Sequence, residues 1–296
     1  ALANGSGGDE FRIYEGEYYV DEIHYIKPNL AGTAGRPTTF IGIGDVVLDG
    51  SGLQRNNGNA VFFLDGFYDS DTDTMTKNKY LHFENLEFKN SGYRDFRVDE
   101  STHVTFKNIR SFGAYQNSIF SSFSSHITIE DSYFDTTYGE HCVYLSNSGD
   151  YYTIRNNIFK NCDKSGFQIN ADPDATYCRG FTFGPDEPFC DGVSEHAIFE
   201  NNKIYGASGR GGAGVNLASV RHSLFQNNII FENFAGGIVA WDGGYGIEYG
   251  SDNNTFRHNT IYFKANEGRS AFQVVKGSDQ NKIYNNILLS GKDLGK

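Results

Sequence analysis

No run of 18 apolar residues occurs anywhere in the 296-residue chain, so no segment reads as a membrane-spanning helix. The first residues, Ala1 to Asp9, lack the charged and apolar regions of a secretory signal. Proline is scarce at 5 residues, and only 38% of the chain is apolar, which suits a thin-cored solenoid better than a thick globule. Basic residues are too few to balance the acids: 25 Lys and Arg against 37 Asp and Glu leave a formal charge of −12. That excludes a nucleic-acid partner, which needs a basic surface, and argues more weakly against a polyanionic sugar. Net charge is not a map, however, and a local basic patch overrides it.

There are four cysteines. Cys178 and Cys190 share a Gly/Pro/Asp-rich stretch and are placed to close a loop, a bond worth roughly 2–3 kcal/mol in the chain-entropy picture. Cys142 and Cys162 stand about one repeat apart and form the second candidate pair; four buried free thiols are the alternative. What is abundant is Gly, at 35 residues, and aromatics, at 15%, a mixture of turn formers and strand formers.

An internal repeat of about 23 residues organises the chain. A strand type with a central apolar residue recurs at Phe83, Phe106, Ile129, Ile154, Phe199, Phe225, Phe256 and Ile283. A second strand type follows, and alternation turns Phe96, Ile119, Val143, Phe167, Val215, Ile238 and Phe272 inward. The same parity turns Arg97, Phe120, Tyr144, Gln168, Asn216, Val239 and Gln273 outward as one stacked column. After the first strand comes a column of Asn85, Asn108, Asp131, Asn156, Asn201, Asn227, His258 and Asn285, with further Asn beside it from Asn157 to Asn286. Asn tolerates left-handed backbone and bonds a neighbouring turn, so Asn156 and Asn201 are expected to satisfy a buried turn. Two strands per coil with polar turns predict an all-β parallel solenoid of about ten coils, a rod on the order of 50 Å long.

The start of the chain fits the same solenoid. The run Gly8-Asp9-Glu10-Phe11-Arg12-Ile13-Tyr14-Glu15-Gly16-Glu17-Tyr18 resembles the opening coil of bacterial β-helix proteins, and Thr39-Phe40-Ile41-Gly42 with Val46-Val47-Leu48-Asp49-Gly50 resembles the next. With the registered columns, these residues resemble the right-handed parallel β-helix, or pectate-lyase-like, superfamily over almost the whole chain. The resemblance implies the fold. It leaves function open, because that fold hosts lyases, hydrolases, epimerases, adhesins and binding modules. Residues 1–296 are expected to be one domain, cut from a larger multimodular secreted protein.

Chemistry is expected on the outward face of the second strand. A polysaccharide lyase needs cationic groups on a uronate carboxyl and a base; Arg97, His141, Tyr144 and Lys164 are of the right types on adjacent coils. A hydrolase needs two carboxyls, and Asp95, Asp99, Glu140, Asp163 and Asp172 are candidates. Asp69, Asp71 and Asp73 begin like a calcium loop, but Thr74 and Tyr80 stand where it needs Gly and Glu. Neutral glycan binding would use aromatic and amide groups: Phe120, Tyr144, Gln168, Asn170, Asn216 and Trp241, the last in a Gly-rich aromatic insertion. On groove character the chain resembles the β-helical carbohydrate-binding modules of secreted glycanases. That implies a secreted module for a neutral plant glycan such as xylan, linked to a catalytic domain; calcium, at Asp69, Asp71 and Asp73, is the one cofactor that the residues suggest. A lyase or hydrolase in the same groove is the alternative.

Overall fold

The structure, a computed structural model, describes residues 2–56, 58–69, 74–176, 191–209, 212–263 and 270–290. Its parallel strands wind as a right-handed β-helix with three strand files per coil. The first file has ten strands, from Glu10–Tyr19 to Lys282–Tyr284, and the chain therefore makes about ten coils. Its central column runs in unbroken register from Phe11 through Phe40, Phe83, Phe106, Ile129, Ile154, Phe199, Phe225 and Phe256 to Ile283. The rings stack face to face along the axis, with Phe11–Phe40 at 4.7 Å, Phe40–Phe83 at 4.8 Å and Phe225–Phe256 at 5.0 Å. Burying each such side chain contributes about 1.5–3 kcal/mol.

The second file is the one that the repeat did not reveal. It comprises short strands placed just after the turn, such as Ile158–Lys160, Lys203–Tyr205 and Ile229–Phe231. In the early coils it is fused to the first file inside single long strands, Asn78–Lys89 and Ser101–Ala114 among them, so the two files count as one 16-stranded sheet. The third file is a separate nine-stranded sheet from His24–Ile26 to Ser270–Val274.

The corner between the first two files corrects the expected role of Asn156 and Asn201. Both are exposed, and both take the left-handed backbone, at φ 58° and 56°. The residue after each is the one buried in the turn. Asn202 Oδ1 accepts the backbone N–H of Asn157 at 2.9 Å, and its Nδ2 donates to the Ile154 carbonyl at 2.9 Å. Asn228 repeats this on Asn202 and Phe199, and Asn259 repeats it on Asn228 and Phe225. Each amide thus pairs a donor and an acceptor of the coil before it, groups that would otherwise be buried unsatisfied.

The corner between the third and first files carries a different stack. Tyr80, His103, His126, Tyr151, His196 and His222 all have positive φ, between 50° and 59°. Their rings pile on one another at 4.5, 4.3, 4.8, 4.9 and 6.0 Å. At the corner leading into the third file the residues are small because the coil beneath is close. A Cβ on Gly214 would lie 2.5 Å from Ile230 Cγ2. Cys142 occupies the same column and forms a disulfide with Cys162, with Cα atoms 5.3 Å apart, as expected. Cys178 and Cys190 lie outside the described residues.

Candidate functional site

The nine-stranded sheet presents one continuous outer column, in register: Tyr25, Phe63, Arg97, Phe120, Tyr144, Gln168, Asn216, Val239 and Gln273. The parity expected for Arg97 to Gln273 therefore holds, and the column extends by two aromatic rungs. Two residues further along each strand a second column carries Asn170 and Trp241. All six residues expected to contact a glycan share this face.

They are joined to each other. Phe120 and Tyr144 meet edge to face at 5.4 Å. Asn170 Nδ2 donates to Tyr144 Oη at 3.2 Å. Trp241 Nε1 donates to Asn216 Oδ1 at 2.9 Å, and Asn216 Nδ2 donates to Gln168 Oε1 at 2.8 Å. Their aromatic faces are also partly covered: the Arg94 guanidinium lies 4.4 Å over Phe120, and Lys276 Nζ lies 4.9 Å over Trp241. A concavity of about 580 Å³ opens beside Asn216, Val239, Trp241, Gln273 and Lys276.

The middle of the face holds a buried polar cluster. Arg94, Asn117 and His141 follow one another on successive coils and are 4%, 1% and 6% exposed. Arg94 Nε donates to Asn117 Oδ1 at 3.3 Å, and Asn117 Nδ2 donates to the His141 carbonyl at 2.7 Å. Burial pulls the Arg94 guanidinium down to about 10. His141 packs against Tyr144 at 5.3 Å, and its Nε2 lies 3.4 Å from Glu140. Burial, reinforced by Lys164, takes the imidazole down to about 3, so it is neutral at pH 7. Lys164 Nζ binds Glu140 Oε1 at 2.5 Å. Of the four residues weighed for lyase chemistry, His141, Tyr144 and Lys164 come together. Arg97 is one rung away from Phe120 and is paired with Asp99 at 2.6 Å.

The carboxylates do not gather as a hydrolase would need. Asp95, expected outside beside Arg97, is turned into the core and is 1% exposed, where it accepts from Ser91 and Ser111 hydroxyls. Its strand starts at a corner, where alternation does not yet hold. Burial raises Asp95 to about 7. Asp99 is held by Arg97 and Glu140 by Lys164, while Asp172 accepts from Tyr245 Oη at 2.6 Å. Asp163 lies at the turn before the strand, its N–H on Thr137 Oγ1.

Of the three aspartates weighed for calcium, Asp69 ends a short strand paired antiparallel with Thr74–Thr76, while Asp71 and Asp73 lie outside the described residues. Among the described residues no group of three His, Cys, Asp or Glu side chains is arranged to hold a metal ion. No helix among them is long and apolar enough to cross a membrane.

No curated protein matches the chain by sequence. Solved structures resemble it across nearly its full length. The alginate lyase from Paenibacillus sp. str. FPU-7 superposes with a TM-score of 0.63 at 17% identity, covering 98% of this chain and 93% of its own. The pectate lyase Pel9A gives 0.61 at 15% identity over 99% of this chain and 71% of its own. The DFA-IIIase from Arthrobacter chlorophenolicus A6 gives 0.61 at 12% identity over 95% and 74%. At these identities the likeness is one of fold. Residues 42–179 and 187–294 match the family model described as the right handed beta helix region, and the chain belongs to that family.

Proposed function

We propose that the outer face of the nine-stranded sheet acts on an acidic polysaccharide, removing the proton beside a uronate carboxyl. The observation that carries this is the buried Arg94–Asn117–His141 column beside Tyr144. A platform for stacking sugars needs free aromatic faces, and here Phe120 and Trp241 lie under cations. A buried, mutually bonded set of donors serves instead to hold fixed dipoles against a developing charge. The alginate and pectate lyases of the same fold support the choice of substrate class.

The roles follow from the bonding. His141 accepts the Ser165 N–H on Nδ1, so its proton sits on Nε2, and it is a donor, not a base. Arg94, Lys164 and His141 Nε2–H are the donors of this cluster, and a substrate carboxylate would take the place of Glu140 on Lys164 and His141. Tyr144 Oη, which accepts from Asn170, is the atom that carries a proton to and from the sugar. In elimination, the ring C–H pair becomes a C=C bond, the glycosidic C–O bond breaks, and the leaving oxygen takes a proton. The Cys142–Cys162 disulfide supports an oxidising, extracellular setting.

A second reading keeps the groove as a binding module for a neutral glycan such as xylan. It is favoured by the ion pairs Arg97–Asp99 and Lys164–Glu140, which balance charge on the face. Incubation with alginate, pectate and xylan, followed by ultraviolet absorbance for unsaturated products and by depletion binding, separates the two. Unsaturated product from a polyuronate supports the first reading. Retention of xylan with no product from any polymer supports the second.

A further inference from the structure

The Gly-rich insertion after Trp241 folds back along the ends of the earlier strands. Gly243 and Gly244, at φ 68° and 95°, turn the chain, and Tyr245 then reaches a residue 73 positions earlier. That residue, Asp172, follows the strand Phe167–Asn170, two rungs from the strand Gly236–Trp241. The insertion is held at its start too, by the bond from Trp241 Nε1 to Asn216.

Asp172 is not an ordinary anchor. It sits in the left-handed region, at φ 48°, an unfavourable conformation for a residue with a side chain unless local bonds fix it. In that conformation its backbone N–H donates to Asn170 Oδ1 at 3.2 Å. An amide that accepts on Oδ1 must present Nδ2 on its other side, and Asn170 Nδ2 donates to Tyr144 Oη at 3.2 Å. The bonds therefore form a series: Tyr245 fixes the Asp172 side chain, the Asp172 N–H fixes the Asn170 amide, and the amide fixes the Tyr144 hydroxyl.

We infer that Tyr245 is a positioning residue, which sets the orientation and proton exchange of Tyr144 through Asp172 and Asn170. The inference rests on the reading of Tyr144 as the proton carrier of the groove.

The test uses the full chain labelled with ¹³Cζ-tyrosine. The Tyr144 signal is assigned by its loss in Tyr144→Phe, and its position is followed with pH in Tyr245→Phe. A displaced Tyr144 signal is expected, with the signal of the exposed Tyr138 unmoved. Asp172→Ala should reproduce the change. Asp172→Asn, which keeps an acceptor oxygen, should not. On whichever polyuronate the parent cleaves, Tyr245→Phe should lower kcat about tenfold with KM little changed. In an Asn170→Ala background it should have no further effect, because the series is already broken.

An unmoved Tyr144 signal in a folded Tyr245→Phe variant would overturn the inference, and so would effects of Tyr245→Phe and Asn170→Ala that simply add. If the parent cleaves nothing, the proposed reaction fails, and the Tyr144 signal still decides whether the series of bonds exists.

Discussion

The backbone N–H of Ser165 is bonded to Nδ1 of His141 at 2.9 Å. This one contact fixes the tautomer of a buried imidazole and ties two coils of the groove together. It also sets a pH dependence. His141 titrates near its ordinary 6.5 when unfolded but near 3 when folded, because burial disfavours the cation. The unfolded chain therefore binds the extra proton first, and folding stability falls as pH drops from 6.5 toward 3. Thermal unfolding of the parent across that range should show a loss from this group of about 2–4 kcal/mol. His141→Gln, which cannot titrate, should flatten that part of the profile. Parallel profiles for parent and variant would refute the assignment.

Asp95 works in the opposite direction. Its carboxyl is raised to about 7 by complete burial, against the pull of the Ser111 and Ser91 hydroxyls. Here the folded state holds the proton more tightly than the unfolded chain. The contribution is therefore full below pH 4 and is lost as pH rises through 7. Above that the core must hold a carboxylate with only hydroxyl partners, which is costly. Asp95→Asn keeps the size and the hydrogen bonding without the charge. It should raise the melting temperature at pH 8 and leave it nearly unchanged at pH 4. A variant destabilised equally at both would show that the charge is not the issue.

The two Asn columns separate cleanly by substitution. Asn202→Ala removes an acceptor for the Asn157 N–H and a donor for the Ile154 carbonyl, both inside the turn. A loss of about 2–4 kcal/mol is expected, since buried groups are left unpaired. Asn201→Ala leaves those bonds in place and adds only left-handed strain, about 1–2 kcal/mol. Asn201→Gly should cost less still. Equal costs at 201 and 202, measured by urea unfolding, would contradict the ladder.

The residues show which of these features a sequence can carry. The inward column from Phe83 onward and the outward column from Arg97 to Gln273 are periodic, and both are legible in the sequence; the earlier rungs Phe11, Phe40, Tyr25 and Phe63 fall outside the regular repeat. The second strand file was not, because strands such as Ile158–Lys160 follow directly on the Asn turn and bury only their central residue. Its trace was the apolar residue two places after each buried Asn, as in Asn202 and Ile204. Asp95 misled because parity fails at a corner. The pairing of Tyr245 with Asp172 spans 73 residues and depends on two glycines reversing the chain, which no local pattern encodes. The buried state of Arg94 and His141 likewise depends on coil packing, although both residue types were visible on the right strands.

Tyr144 and Trp241 distinguish the two readings of the groove most directly. Tyr144→Phe deletes one hydroxyl and keeps the ring that packs on Phe120 and His141. If Tyr144 carries the proton, this variant should lose turnover on the polyuronate by a factor of about 100–10,000, the usual range for a general acid–base group, while still binding the polymer. If the face is a stacking platform, the same variant should bind xylan like the parent. Trp241→Ala acts the other way. It removes a ring lying under Lys276 and a donor to Asn216, so xylan binding should weaken by about 1–2 kcal/mol on the platform reading. Salt adds a second axis: neutral stacking is insensitive to it, whereas a carboxylate held by Arg94 and Lys164 should bind less tightly as ionic strength rises. Binding and turnover of parent, Tyr144→Phe and Trp241→Ala at low and high salt therefore give a distinct pattern for each reading. A Tyr144→Phe enzyme as fast as the parent would remove Tyr144 from the chemistry, whatever the polymer.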